Sequence, residues 1–320
     1  MTLKLISIPE NPVPEGGEPF MLVTSDGVEL RAARFPARKG VPFKGTVCLF
    51  QGRAEFIEKY YETIEDLNER GFCVATLDWR GQGGSQRRLK NPRRGHVRHF
   101  DDFQLDMDVF MQDFALPECP PPFFALAHSM GGAVILEAAR RRSTWFDRIV
   151  LSAPMISLPG FAADPLARRV AVLFTALGLS GLFVPGGNEG NLYHGEFARN
   201  PLTSDEKRFK RTGAVAEAAP HLCLGSPTIG WLRAAHRGMT LFEDPEKISE
   251  IRTPTLFIAA GDEKVVSNNA IEVLASQMRT AEVVTLPNAR HELLMERDGI
   301  RDAFFAAFDA FIPGTPTFPD

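Results

Sequence analysis

Short apolar runs recur along the chain: TVCLF (46–50), CVATL (73–77), FFALA (123–127), RIVLSA (148–153), TLFIA (255–259) and EVVTL (282–286). Within each run the apolar positions are continuous rather than alternating, the pattern of parallel strands covered on both faces. Stretches of helical character separate most of them: EKYYETIEDLNERG (58–71), closed by a glycine, then SMGGAVILEAARR (129–141) and SNNAIEVLASQM (267–278). Ahead of the series, MLVTSDGVELRAARF (21–35) carries an Asp-Gly turn and predicts an antiparallel hairpin. The alternation predicts an α/β fold with a mostly parallel central sheet, right-handed crossovers and flanking helices.

The rhythm breaks between Pro154 and Thr253, where about a hundred residues contain no convincing core strand. They hold the apolar run VAVLFTALGLSGLFV (170–184), the bend PGGNEGN (185–191) and helical stretches near 204–217 and 227–238. An insertion of that size after the sixth strand reads as a helical cap rather than a linker. The chain therefore divides into a core segment (1–155), a cap (156–240), a second core segment (241–312) and a disordered tail (313–320).

Composition refines this picture modestly. At 320 residues, 44% hydrophobic and 24% charged, the chain suits one large α/β unit with a sizeable core. A net charge of −4 argues against a general nucleic-acid binder. The local basic runs RRLKNPRRGHVRH (87–99) and ARRR (139–142) read as solvated faces, although the first could meet an anionic head group. Cys48, Cys73, Cys119 and Cys223 show neither CxxC nor metal-ligand spacing, so no metal is expected; Cys48 and Cys73 fall inside apolar runs as small buried residues. The opening MTLKLISIPENPVPEGG has no signal-peptide core, and no uncharged apolar run reaches membrane-spanning length, so a cytoplasmic protein is expected.

The candidate chemistry begins at FALAHSMGGAV (124–134), a strand running into a helix with Ser129 at the bend. Ser129 is either a nucleophile on a tight strand-to-helix turn or a helix N-cap. The turn motif usually reads Gly-x-Ser-x-Gly, and Ala127 replaces its first glycine. A serine nucleophile needs a base oriented by a carboxylate, each in a later loop at a strand's end. Both slots are filled in order: AGDEKVV after TLFIA supplies Asp262 and Glu263, and PNARHELLME after EVVTL supplies His291. Adjacent His128 diverges from Ser129 on the turn and is no candidate base. An oxyanion hole also needs a donor from an early loop. In Gln51-Gly52-Arg53, Gly52 permits a close turn that lets the Arg53 N–H face the Met130 N–H, unless the segment is an ordinary βα loop.

These residues resemble the branch of the α/β-hydrolases that contains bacterial lysophospholipases and monoacylglycerol lipases. The resemblance rests on GRAEFIEKY (52–60), LDWRGQGGSQR (77–87), RGHVRHFDDF (94–103), AHSMGG (127–132), NPLTSDEKRF (200–209), GSPTIGWL (225–232), AGDEKVV (260–266) and ARHELLME (289–296), most of the chain. GR-EF, and the run from DWRGQG to GHVRHF, are most similar to the lysophospholipases; Gln51 departs from the common histidine. The resemblance implies Ser129 as nucleophile, His291 as base, Glu263 rather than Asp262 as acid, and Arg53 and Met130 as oxyanion donors. It also implies hydrolysis of a lipid or other small carboxylic ester through an acyl-enzyme, without cofactor, metal or nucleic-acid partner. Monoacylglycerol lipase and general carboxylesterase activity are the nearest alternatives; an aminopeptidase of the same fold or a non-catalytic receptor is further off. The apolar run 170–184 would line an acyl pocket or rest peripherally on a membrane surface, unless it forms a buried lid helix.

Overall fold

The computed structural model describes residues 3–142, 144–159, 165–191, 193 and 195–313, with backbone alone at 165–168. An eight-stranded sheet runs through the molecule in the order β1-β2-β4-β3-β5-β6-β7-β8. The strands are β1 (Glu18–Val23), β2 (Glu29–Phe35), β3 (Gly45–Phe50), β4 (Phe72–Leu77), β5 (Phe123–His128), β6 (Arg148–Ser152), β7 (Thr255–Ala260) and β8 (Ala281–Leu286). The hairpin β1–β2 and the β2–β4 pair are antiparallel; every other pairing is parallel. The helices are α1 (Tyr61–Glu69), α2 (Asp102–Val109), α3 (Leu116–Glu118), α4 (Met130–Arg141), α5 (Pro165–Ala176), α6 (Glu206–Ala218), α7 (Ile229–Met239), α8 (Pro245–Ser249), α9 (Asn268–Gln277) and α10 (Asp298–Phe311).

Continuous apolar runs and coverage on both faces explain one another. Every residue of β3, β4, β5 and β7 is buried. The edge strand β8 departs from that expectation, for Glu282, Val283 and Thr285 are exposed. As an edge strand it has β7 as its single neighbour, so an apolar run there does not imply that every side chain is buried. The inner packing is aromatic: Phe50 stacks on Trp79 at 5.6 Å between centroids and meets Phe110 edge-on at 5.3 Å.

Helices α5 to α8 occupy the interval between β6 and β7. α6 and α7 begin at conventional caps, Asp205 accepting from the Arg208 N–H and Thr228 from the Trp231 N–H. α5 and the turn after it differ, since Val172, Leu173 and Leu177 are 51%, 56% and 64% exposed. Among the described residues no helix is long and apolar enough to cross a membrane. Beyond Pro313 the expected disordered tail lies outside the described residues.

Candidate active site

Strand β5 hands over to α4 at Ser129, whose φ of 50° and ψ of −117° are costly for any residue with a Cβ. Neighbours hold that strain in place. The Ser129 N–H donates to the Ser152 carbonyl at 3.0 Å, and the Ser129 carbonyl accepts from Gly132 and Met155. Ser129 makes no side-chain capping bond to α4, so its hydroxyl is not engaged as a helix cap. The small residues behind it have a steric reason. A Cβ on Gly131 would lie 2.6 Å from the Gln51 carbonyl oxygen, and one on Gly132 would lie 2.6 Å from Pro154 Cβ. Ala127 belongs to β5 with ordinary extended backbone, so its position makes no demand for glycine's freedom.

The later loops bring the other candidates to Ser129. His291 Nε2 lies 3.0 Å from Ser129 Oγ, and His291 Nδ1 lies 2.8 Å from Glu263 Oε2. A carboxylate at Nδ1 favours the proton there, which leaves Nε2 free to accept from the serine hydroxyl. Glu263 is held from its other side by the N–H groups of Lys264, Val265 and Val266, at 2.9, 2.7 and 3.2 Å from Oε1. Burial opposes its charge, yet the bond from His291 and these backbone donors outweigh burial and keep the carboxyl below the usual range. Asp262 points elsewhere. Its half-exposed carboxylate lies 3.2 Å from Lys264 Nζ and 4.0 Å from Arg290 Nε.

The loop after β3 lies against the serine. A Cβ on Gly52 would stand 3.2 Å from Ser129 Cβ and 3.0 Å from Glu55 Oε2 and His128 Cδ2, a tight fit that glycine relieves. The Gly52 N–H is taken by Glu55 Oε2, whereas the Arg53 and Met130 N–H groups have no acceptor among the described residues. Gln51 is wholly buried with both side-chain polar atoms unpaired among the described residues.

Beneath this loop lies a buried ionic cluster that sequence reasoning missed. Lys59 Nζ sits between Glu55 and Glu292, 2.5 and 2.7 Å away, and donates to Tyr193 Oη at 2.8 Å. Tyr193, from the segment between β6 and β7, donates in turn to Glu292 at 3.0 Å, and Tyr60 donates to Glu55 at 2.7 Å. Two carboxylates sharing one ammonium can remain charged in a dry interior, and Lys59 keeps its proton more tightly than usual despite burial. The available signal was Glu55 and Lys59 at an i,i+4 spacing. The cluster fixes the Gly52 loop, the residue after His291 and one cap tyrosine to one another. His128 also borders it. Burial lowers its pKa to about 3, and its Nδ1 bonds the Ser152 carbonyl at 3.0 Å, which suits a neutral structural role.

The basic run at 87–99 is only partly a solvated face. Arg88, Lys90 and Arg98 are exposed, but Arg87 donates to the carbonyls of Gly83, Ser85, Pro92 and His221, tying this loop to the segment between β6 and β7.

Residues 42–298 match the protein family described as serine aminopeptidase, S33. The chain is 31% identical over 304 residues to lysophospholipase L2 of Escherichia coli strain K12, covering 89% of this chain and 85% of that protein. It is 28% identical over 265 residues to the probable lysophospholipase L2 of Haemophilus influenzae, covering 82% of each. In structure it resembles a soluble variant of monoglyceride lipase from Saccharomyces cerevisiae, with a TM-score of 0.69 and 19% identity, over 91% of this chain and 94% of that one.

Proposed function

This chain belongs to that family of α/β-hydrolases, in the branch of lysophospholipases and monoglyceride lipases, and is a hydrolase of lipid carboxylic esters; on that premise we propose that Ser129, His291 and Glu263 form its catalytic triad and that its substrate is a lysophospholipid. The observation that carries the triad is the continuous hydrogen-bonded path from Ser129 Oγ through His291 to Glu263 Oε2. The Ser129 oxygen attacks the ester carbonyl while His291 Nε2 takes its proton. The Arg53 and Met130 N–H groups receive the oxyanion, whose charge develops where two donors await an acceptor. Collapse of the tetrahedral intermediate breaks the acyl C–O bond, and His291 returns the proton to the departing glycerol oxygen. Water, deprotonated by the same histidine, then releases the fatty acid and restores Ser129.

A lysophospholipid is favoured because relatives named lysophospholipase share about three tenths of their residues with this chain along most of its length. A monoacylglycerol is the second reading, supported by the likeness in fold to monoglyceride lipase. The exposed Val170, Val172 and Leu173 of α5, with Leu177 just beyond it, form a face that rests peripherally on a lipid surface. A fluorophosphonate probe tests the nucleophile: the wild type is labelled and Ser129→Ala is not. Retained labelling or ester turnover in Ser129→Ala would sink the triad. Turnover of lysophosphatidylcholine against a monoacylglycerol of equal acyl chain decides between the two substrates.

A further inference from the structure

Two buried guanidinium groups of this chain, those of Arg31 and Arg80, are matched by carboxylates. Arg31 lies 2.6 Å from both Glu58 and Asp78, and Arg80 lies 2.9 and 2.7 Å from Asp26 and Asp106. Arg53 is different. Its backbone belongs to the loop beside Ser129, while its side chain runs into the seam between that loop and the cap. There Nη2 donates to the Gly225 carbonyl at 2.8 Å, and the guanidinium carbon lies 5.1 Å from the centroid of the Trp231 ring. Among the described residues no carboxylate lies within ion-pair distance of it. Nε is sealed without a partner, whereas Nη1 makes no hydrogen bond and is not sealed.

The surrounding seam is positive as well. Arg94 stacks on Phe183 with its guanidinium carbon 5.1 Å from the ring centroid, and its Nε is likewise sealed and unpaired. Burial, with no opposing charge to offset it, brings the Arg53 pKa down to about 10, still protonated at neutral pH. A half-buried cation with no carboxylate at ion-pair distance leaves a charge that a ligand anion can match. A carbonyl and an indole already fix the guanidinium in one orientation, so little entropy remains to be lost on binding.

We propose that Arg53 is the specificity-determining residue that recognises the phosphate of the substrate head group. The inference rests on the lipid-esterase reading above. In a lysophospholipid a glycerol unit separates the scissile carbonyl from the phosphorus, a span comparable to an extended arginine side chain. With the carbonyl oxygen at the Arg53 N–H, the phosphate comes within reach of the same residue's guanidinium. A monoacylglycerol has no group to place there and leaves the charge unmatched.

Three measurements test this. In the wild type, glycerophosphocholine inhibits turnover of a neutral p-nitrophenyl ester competitively, at concentrations about tenfold or more below those needed for glycerol. In Arg53→Gln, the ratio of kcat/KM for lysophosphatidylcholine to that for the monoacylglycerol of equal chain falls about 10- to 100-fold. Arg53→Lys, which keeps the charge without the fork, recovers part of that ratio. An unchanged ratio in Arg53→Gln, or glycerol inhibiting the wild type as well as glycerophosphocholine, overturns the proposal. So does inhibition by inorganic phosphate without inhibition by the diester, which would assign the site to a free anion. Absence of p-nitrophenyl ester turnover in the wild type is a separate result, and would instead remove the esterase reading on which the proposal rests.

Discussion

Glu263 Oε2 lies 2.8 Å from His291 Nδ1, while the preceding carboxylate, Asp262, is turned outward to Lys264. Glu263→Gln therefore removes the acceptor that keeps His291 in the tautomer able to take the serine proton. We expect kcat on a p-nitrophenyl ester to fall on the order of 10³- to 10⁴-fold, and Asp262→Asn to cost less than about threefold. Equal losses in the two variants would remove the distinction between the acids.

Gly131 offers a steric test of the same site. A Cβ there meets backbone, 2.6 Å from the Gln51 oxygen and 2.9 Å from the Phe50 oxygen, so it cannot be relieved by a side-chain rotation. Gly131→Ala should destabilise the protein by about 1–3 kcal/mol and displace the loop that carries Arg53. The resulting loss in kcat is on the order of 100-fold, whereas Ala127→Gly should stay within about threefold of wild type. Thermal melts together with ester turnover check both effects. Full activity in Gly131→Ala would mean that the loop position is not critical.

Glu62 ties α1 to α6 and α10. It lies 2.7 Å from Arg208 of α6 and 3.3 Å from Arg301 of α10, and it also bonds Arg211. Burial raises its pKa, but the bond from Arg208 and the charges of Arg301 and Arg211 outweigh burial and bring it from 4.5 to about 2. A carboxyl with a depressed folded pKa stabilises fully above its ordinary pKa and loses that contribution as pH falls through the folded value. Glu62→Gln should thus cost about 1–3 kcal/mol at pH 7 in urea unfolding. The gap to wild type should shrink between pH 4.5 and about 2. A gap that persists unchanged to pH 2 would contradict the assignment.

Leu173 and Leu177 are 56% and 64% exposed on the cap. If this face meets lipid, Leu173→Asp with Leu177→Asp should reduce co-sedimentation with phospholipid vesicles by about tenfold or more, each leucine losing on the order of 1–3 kcal/mol of transfer free energy. Circular dichroism confirms that the doubly substituted protein is folded. Undiminished vesicle binding would locate the lipid contact elsewhere.

The strands were legible because each is a run of apolar residues between loops, and in β3, β4, β5 and β7 the run goes with burial of every residue. TVCLF falls within β3 and CVATL within β4. The order serine, acid, histidine was legible for a similar reason, since each follows a recognisable strand. Choosing Glu263 over Asp262 needed the resemblance, because two adjacent carboxylates in a turn look alike until their side chains are placed. The Lys59 cluster was hidden more deeply. EKYYE reads as the start of a helical stretch, yet Glu58 and Lys59 are buried, and their partners come from residues as distant as Arg31, Tyr193 and Glu292. Nor did the sequence distinguish Arg87, bonded to carbonyls across the seam, from its exposed neighbours.

The order in which the chain is made gives the cap's insertion point another consequence. Ser129 and His291 are separated by 162 positions, and the whole cap lies between them. During synthesis the elbow emerges first, then the cap, and the base last. On the triad proposed above, a nascent chain displays the serine without its base and cannot hydrolyse an ester until β8 has joined the sheet. Closing so long a loop is among the slow steps of folding. The hydrolytic activity is thus withheld by topology until nearly all of the protein has been built.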